Sequence, residues 1–316
     1  MNARRWLWVR AGVSVALLGW LFLRVDWAVV AAQVRRVPGP ALLLAWLLFW
    51  GAFALANARW ARLVRAGGLA VPWWTLFRIK LVGFFWTQFL PSTVGGDGYR
   101  ILALRGQAPN ATTVVVLSVL LDRGYGYLAL LLTHDVLFVL LWAWGKPLPS
   151  WVQAASWALV GLSVVVVGLG LWILADNNRL ARALRRLRAP TAAARLRTIH
   201  RQEALPALLF SFAFVVVAGL TLAVLLWALG VQVDGLTFFY AYTFSLLAAT
   251  LPISLNGLGL LEASMLAILH GQGLDFNALV TALGLWRFVQ WSAGLLGGVV
   301  SLFARTARSR EVSSRR

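Results

Sequence analysis

The sequence predicts an all-α, polytopic helical membrane protein, with about six full spans plus two re-entrant helical hairpins in an inverted repeat. Three observations carry this. Of 316 residues, 61% are hydrophobic and 12% charged, about half the charge of a soluble domain. The apolar residues lie in long unbroken runs, which excludes the alternating pattern of an outer-membrane barrel. Two of these runs are interrupted by a proline and several glycines. The same composition excludes a soluble globular enzyme and a disordered chain. With no cysteine, disulfides, thiolate metal sites and thiol nucleophiles are excluded too.

A span needs about 20 apolar residues. Residues 6–23 supply the first. Arg4, Arg5 and Arg10 precede its apolar stretch 11–23 as in a secretory signal, but Arg24 and Asp26 follow without a small-residue cleavage site, so the helix is expected to be retained. Residues 41–58, 151–174, 205–229 and 278–303 are further spans. Residues 111–144 are apolar but long, and they contain Asp122, Arg123, Gly124 and Gly126; a tilted or broken helix is expected. Residues 73–90 run into PSTVGGDGYR (91–100), and residues 238–251 into PISLNGLGLLE (252–262). Proline and glycine break a helix there, and the freed backbone groups cannot face lipid. At 1.5 Å per residue, the ten residues before the first break reach about 15 Å, the middle of a roughly 30 Å core.

Charge orients these elements. The net charge is +19, and Lys80 and Lys146 are the only lysines. Arginines gathered between apolar runs follow the positive-inside pattern, and attract anionic headgroups at about 1 kcal/mol each near the surface. The N-terminus, Arg59/Arg62/Arg65, Arg100/Arg105, the eight arginines from Arg179 to Arg201 and the tail from Arg305 are placed in the cytoplasm. Arg24, Arg35, Arg36 and Lys146 then fall outside. This requires residues 73–105 to enter and leave on the cytoplasmic side, and residues 238–271 to do so from the other. The chain reads as a single integral membrane domain (1–316) of the inner, cytoplasmic membrane. Both termini are cytoplasmic, and residues 176–204 form a basic cytoplasmic loop. Trp6, Trp8, Trp27, Trp73, Trp74, Trp142, Trp144 and Trp151 lie near predicted span ends, as headgroup-seeking indoles should.

The two breaks resemble each other. Leu90 and Pro91 match Leu251 and Pro252, Gly96 matches Gly257 and Gly98 matches Gly259, all at one offset. Repeat-like units of about 41–144 and 205–304, inserted in opposite senses, give the plan of many secondary transporters, whose site lies at midplane between broken helices. The backbone-break residues are Pro91, Gly95, Gly96, Gly98, Pro252, Gly257 and Gly259.

A charge at the bilayer centre costs roughly 2.5–3.5 kcal/mol on insertion scales, so deep ionised residues are functional suspects. Asp97, Asp122, Arg123, Glu262 and Arg287 lie at that depth, with Arg100 a little shallower. Asp97 and Arg100 share a helix face three apart; they form either a site or a helix cap with a surface anchor. Asp122 and Arg123 point about 100° apart, so each must reach another helix. Ser254 and Asn256 add hydrogen-bonding groups, and Glu262 either faces a substrate or neutralises Arg287. Arginine binds phosphate in two-point geometry without losing its charge. Gly294 and Gly298 form a GxxxG suited to helix packing. His134, His200 and His270 show no ligand spacing, so no metal site is expected; nor is a cofactor, since there is no Walker loop. Asp26 is read as interfacial.

Leu90 to Ser92, Gly95-Gly96-Asp97 to Arg100, Asp122-Arg123, and Pro252 through Gly259 to Glu262 resemble the flippase-like integral membrane family. That family includes the membrane part of lysylphosphatidylglycerol synthases. The resemblance covers roughly residues 41–304; Asp122 stands where Glu is often found. It implies lipid translocation rather than lipid aminoacylation, with phospholipids, aminoacylated lipids or polyprenyl-phosphate-linked glycans as cargo. The expectation is a non-enzymatic flippase binding anionic headgroups through Asp97, Arg100, Asp122, Arg123, Ser254, Asn256, Glu262 and Arg287. Two alternatives stand beside it: a membrane-embedded lipid-modifying enzyme, and a non-transporting partner of a separate lipid or glycan synthase. No nucleic-acid partner is expected.

Overall fold

Long apolar runs fold as long helices, and the proline–glycine breaks cut the remainder into short ones. The structure is a computed structural model describing residues 3–89, 94–108, 111–175 and 190–313. Pro91, Ser92 and residues 176–189 of the basic loop lie outside the described residues. Within them the chain forms α1 (Ala3–Arg24), α2 (Trp27–Arg36), α3 (Gly39–Ala66), α4 (Trp73–Phe89), α5 (Val94–Leu104) and α6 (Ala111–Ala143). It continues with α7 (Ser150–Ala175), α8 (Pro190–Ala228), α9 (Gly235–Thr250), α10 (Leu260–His270) and α11 (Phe276–Ser313).

Five stretches are long and apolar enough to cross a bilayer: Gly39–Ala66, Ala111–Ala143, Ser150–Gly170, Gln202–Ala228 and Phe276–Phe303. The pair Trp8–Arg24 and Trp27–Arg36, bent by 83°, makes a sixth if taken as one span. The protein is thus a polytopic helical membrane protein. Asp26 sits at that bend as the N-cap of α2, accepting hydrogen bonds from the Ala28 and Val29 amides at 3.0 and 3.1 Å. Its own amide donates to Asn277 Oδ1 on α11. The capping satisfies two N–H groups that a helix start leaves open.

The remaining helices are short. α4 has 17 residues, α5 has 11, α9 has 16 and α10 has 11; the longest of them reaches about 26 Å at 1.5 Å per residue, less than the roughly 30 Å core. α4 packs on α5, and α9 on α10. The first pair touches backbone to backbone: a Cβ on Gly83 would meet the Gly96 carbonyl at 2.9 Å. The second break turns through Asn256, Gly257 and Gly259, with φ of 49°, 74° and 81°. The two glycines supply a left-handed backbone at little steric cost.

α6 is one continuous helix of 33 residues, so Gly124 and Gly126 do not break it. A Cβ on Gly126 would meet both terminal nitrogens of Arg59 at 3.3 Å, so this glycine makes room for a guanidinium from α3. Two apolar cores flank the charges. One joins α3, α4, α5 and α6 through Trp60, Leu76, Leu104 and Val115. The larger joins α6 to α11 through Phe138, Leu225, Tyr240, Met265 and Leu283.

The GxxxG on α11 packs against α4. A Cβ on Gly298 would meet the Phe85 ring at 2.8 Å, one on Gly294 would meet Gln88 at 3.4 Å, and one on Gly297 would fall on the Leu81 carbonyl. Gly297→Leu is therefore expected to lower the thermal unfolding temperature of the detergent-solubilised protein, with an overpacking cost of about 1–3 kcal/mol. Gly284→Ala, on the same helix but with open space around its Cβ, is expected to leave that temperature unchanged or raise it.

Candidate functional site

Two ionic nodes form where the short helices meet the long ones. The first centres on Asp122 of α6. Arg59 Nε of α3 donates to Asp122 Oδ1 at 2.7 Å, and Arg100 NH2 of α5 donates to Oδ2 at 2.9 Å. Lys80 Nζ of α4 lies 3.6 Å from Oδ2 and donates to the Ala56 carbonyl at 2.5 Å. Three cations thus surround one carboxylate. Arg59, Arg100 and Asp122 are buried, the Asp122 side chain 5% exposed, and Lys80 is partly buried. Arg59 NH1 also donates to Ser211 Oγ of α8 at 2.6 Å, so the node joins five helices. The Arg100 guanidinium lies 3.9 Å over the Trp60 ring, a cation–π contact that strengthens where water is excluded. Trp60 is held by its Nε1–H donating to Ser118 Oγ at 3.1 Å.

Asp97 extends this node. It takes Arg100 NH1 at 3.3 Å and Arg123 Nε through its two oxygens. As anticipated, Asp122 and Arg123 each reach out of α6: the acid to α3, α4 and α5, the base to the start of α5. The Arg123 side chain is 32% exposed and Asp97 16%. They form the open edge of an otherwise closed cluster.

The second node lies at the second break. Arg287 Nε of α11 donates to Glu262 Oε1 at 2.6 Å. Glu262 Oε2 accepts the Gly259 amide at 2.9 Å, a capping interaction that starts α10. Ser254 is pinned through its backbone: Arg10 of α1 donates to its carbonyl at 3.2 and 3.1 Å, and the Leu255 amide donates to Ser14 Oγ at 2.8 Å. Asn256 Nδ2 donates to the Thr87 carbonyl at 2.8 Å. That bond ties the second break to the end of α4, beside the first.

The predicted residues therefore gather in two places. Asp97, Arg100, Asp122 and Arg123 share the first node; Ser254, Asn256, Glu262 and Arg287 line the second. In this structure their charges are met by one another. Some donors are still unsatisfied: among buried side-chain atoms, Arg100 Nε, Arg287 NH2, Ser254 Oγ and Gln88 Nε2 have no hydrogen-bond partner. A void lined by Leu222, Leu226, Met265, Leu266, Leu269, Leu279 and Leu283 is apolar and too tight for water. Among the described residues, no group of three His, Asp or Glu could hold a metal ion.

Sequence reasoning missed Arg59 and Lys80. Arg59 stands at the head of a basic run that reads as a surface anchor, yet it lies a turn and a half deeper than Arg65 and turns inward. Lys80 lies inside an apolar segment, and the rule that flags deep ionised residues would have found it.

A buried acid held by bases on three helices, beside two helix breaks inside a helical membrane protein, defines a membrane-embedded domain with a built ionic interior. The family profile of the lysylphosphatidylglycerol synthase TM region matches residues 7–298. The chain belongs to this family. No curated protein matches the chain.

Removing one partner of a buried ion pair strands the other and costs about 3–5 kcal/mol. Asp122→Asn should therefore lower the thermal stability of the purified protein by an amount in that range, since three cations lose their counter-charge. Asp122→Asn with Arg59→Gln should cost less than the two single changes summed, because the pair is coupled.

Proposed function

We propose that the chain moves a lipid with an anionic headgroup between leaflets and makes no covalent change to it. The observation that carries this reading is the excess of cationic donors inside the membrane: three cations on the single carboxylate of Asp122. The unmet N–H groups of Arg100 and Arg287 add to it. A phosphate diester offers the charge and the acceptor oxygens that this arrangement lacks. Family membership supports lipids as the cargo, as the family takes its name from a lipid synthase.

On this reading the structure is a closed state. Lipid enters at the Asp97–Arg123 edge, where the guanidinium is one-third exposed. Phosphate displaces a carboxylate from Arg123, then from Arg100, while acyl chains stay in the bilayer. The α4–α5 and α9–α10 pairs act as hairpins entering from opposite faces. Their contact at Asn256 and Thr87 is the place where one unit rocks against the other. The second node, with Arg287 and Ser254, receives the headgroup on the far side.

The test is leaflet exchange of labelled phospholipid in liposomes containing the purified protein. Exchange without a new lipid species is expected. A new species would support an enzyme instead, and neither result would support a partner of a separate synthase. Losing a charge-assisted hydrogen bond costs about 1.5–3 kcal/mol, so Arg123→Ala is expected to slow exchange at least about tenfold. A folded Arg123→Ala protein with wild-type exchange would remove that residue from the path.

A further inference from the structure

The ion-paired carboxylates on or beside the membrane-embedded helices divide by partner. Asp97, Asp122 and Glu262 each face at least one guanidinium. Asp135 of α6 does not. Its carboxylate, 13% exposed, pairs with His134, whose Nδ1 lies 3.0 Å from Asp135 Oδ1. No lysine or arginine among the described residues pairs with it. Guanidinium keeps its proton under all ordinary conditions, whereas imidazole gains and loses one near neutral pH. Asp97, Asp122 and Glu262 therefore face a permanent cation, and Asp135 faces a ring that is charged only when it binds a second proton.

The surroundings hold His134 in place for this. Its ring is fully buried. Nε2 lies 3.2 Å from Ser156 Oγ on α7, and Ser156 Oγ lies 2.8 Å from Tyr240 Oη on α9. Phe138, Tyr240 and Phe244 enclose the ring, with centroids 6.1, 5.5 and 6.0 Å away. From α6, α7 and α9 the titratable groups facing the imidazole are thus Asp135 and Tyr240, with Ser156 between. Both ring nitrogens have partners, and each partner suits two proton arrangements. With the imidazole neutral and Nδ1–H donating to Asp135, Tyr240 donates to Ser156 and Ser156 to Nε2. The site then carries one uncompensated negative charge. One added proton makes it neutral: Nε2–H donates to Ser156, whose hydroxyl turns to donate to Tyr240. Hydroxyl rotation alone accommodates the change, and an apolar wall favours the neutral state.

Position gives the site a side. Asp135 lies seven residues, about 10 Å, along α6 from the exposed Trp142. Trp144 and Trp151 are exposed at the same end of α6 and α7 and mark an interface. On the same helix Asp122 lies about 20 Å further along, away from that face.

We propose that His134 and Asp135 form a proton-binding site reached from the tryptophan-marked face, and that proton occupancy there drives or gates lipid movement. The coupling rests on the transport reading above; the proton site does not.

Two measurements separate them. The first uses the full chain in lipid nanodiscs with 15N-labelled histidine, taking the ring signals that vanish in His134→Gln as those of His134. The ring is expected to change protonation state as pH falls from about 8 to about 5. Asp135→Asn is expected to move that change, since the carboxylate partner is gone. A ring fixed in one state, or unmoved by Asp135→Asn, would overturn the site. The second uses liposomes carrying an imposed pH gradient. Acidifying the tryptophan-marked face is expected to change wild-type exchange at least threefold, and Asp135→Asn or His134→Gln to abolish that response. Wild-type exchange indifferent to the gradient would overturn the coupling. Absence of any exchange would sink the transport reading, leaving the ring titration to decide the proton site.

Discussion

The structure depends on the compensation of charge where water is absent. An ionised carboxylate in an apolar medium is tolerated only when paired and hydrogen-bonded. Asp122 meets that condition by drawing Arg59, Lys80 and Arg100 from three helices. Arg59 in turn reaches Ser211 on α8, so the node sets how five helices sit against one another. Lipid-facing surfaces cannot do this, because lipid is as apolar as leucine and gives packing little preference. The buried charges supply the specificity that a water-driven core would otherwise provide.

The glycines serve the same arrangement by another route. Gly126 admits the Arg59 guanidinium into the flank of α6, Gly83 and Gly96 let α4 and α5 touch at the backbone, and Gly297 brings α11 onto the Leu81 carbonyl. Each close approach shortens a gap that a charged side chain must cross. Two arginines and a lysine from three helices can then converge on one acid. The second break is held at its backbone by Arg10 and Ser14, by the Asn256 bond to Thr87, and by Glu262, which caps it and pairs with Arg287.

The fold class was readable because hydrophobicity and the proline–glycine breaks are local properties. Runs of about twenty apolar residues make spans whatever they pack against, and the break after Thr250 falls where Pro252 and the glycines put it. Asp97, Asp122, Arg123, Glu262 and Arg287 were readable too, since the cost of a deep charge is set by depth, although the same rule went unapplied to Lys80. Less legible was the role of Arg59, whose neighbours Arg62 and Arg65 give it the look of a surface residue. Asp135 passed unnoticed because His134 beside it showed no metal-ligand spacing, and the relevant partners, Ser156 and Tyr240, lie on other helices.

The order of residues therefore determined that this is a helical membrane protein, where its helices break, and which ionised groups end up in oil. Only the packed chain decided which acid meets which base. Arg59 and Asp122 are 63 positions apart, and Glu262 and Arg287 are 25 apart; their meeting depends on helix crossing and side-chain direction. Those are set by the shape of neighbouring surfaces, and a linear order of residues carries that shape only after folding has brought the surfaces together.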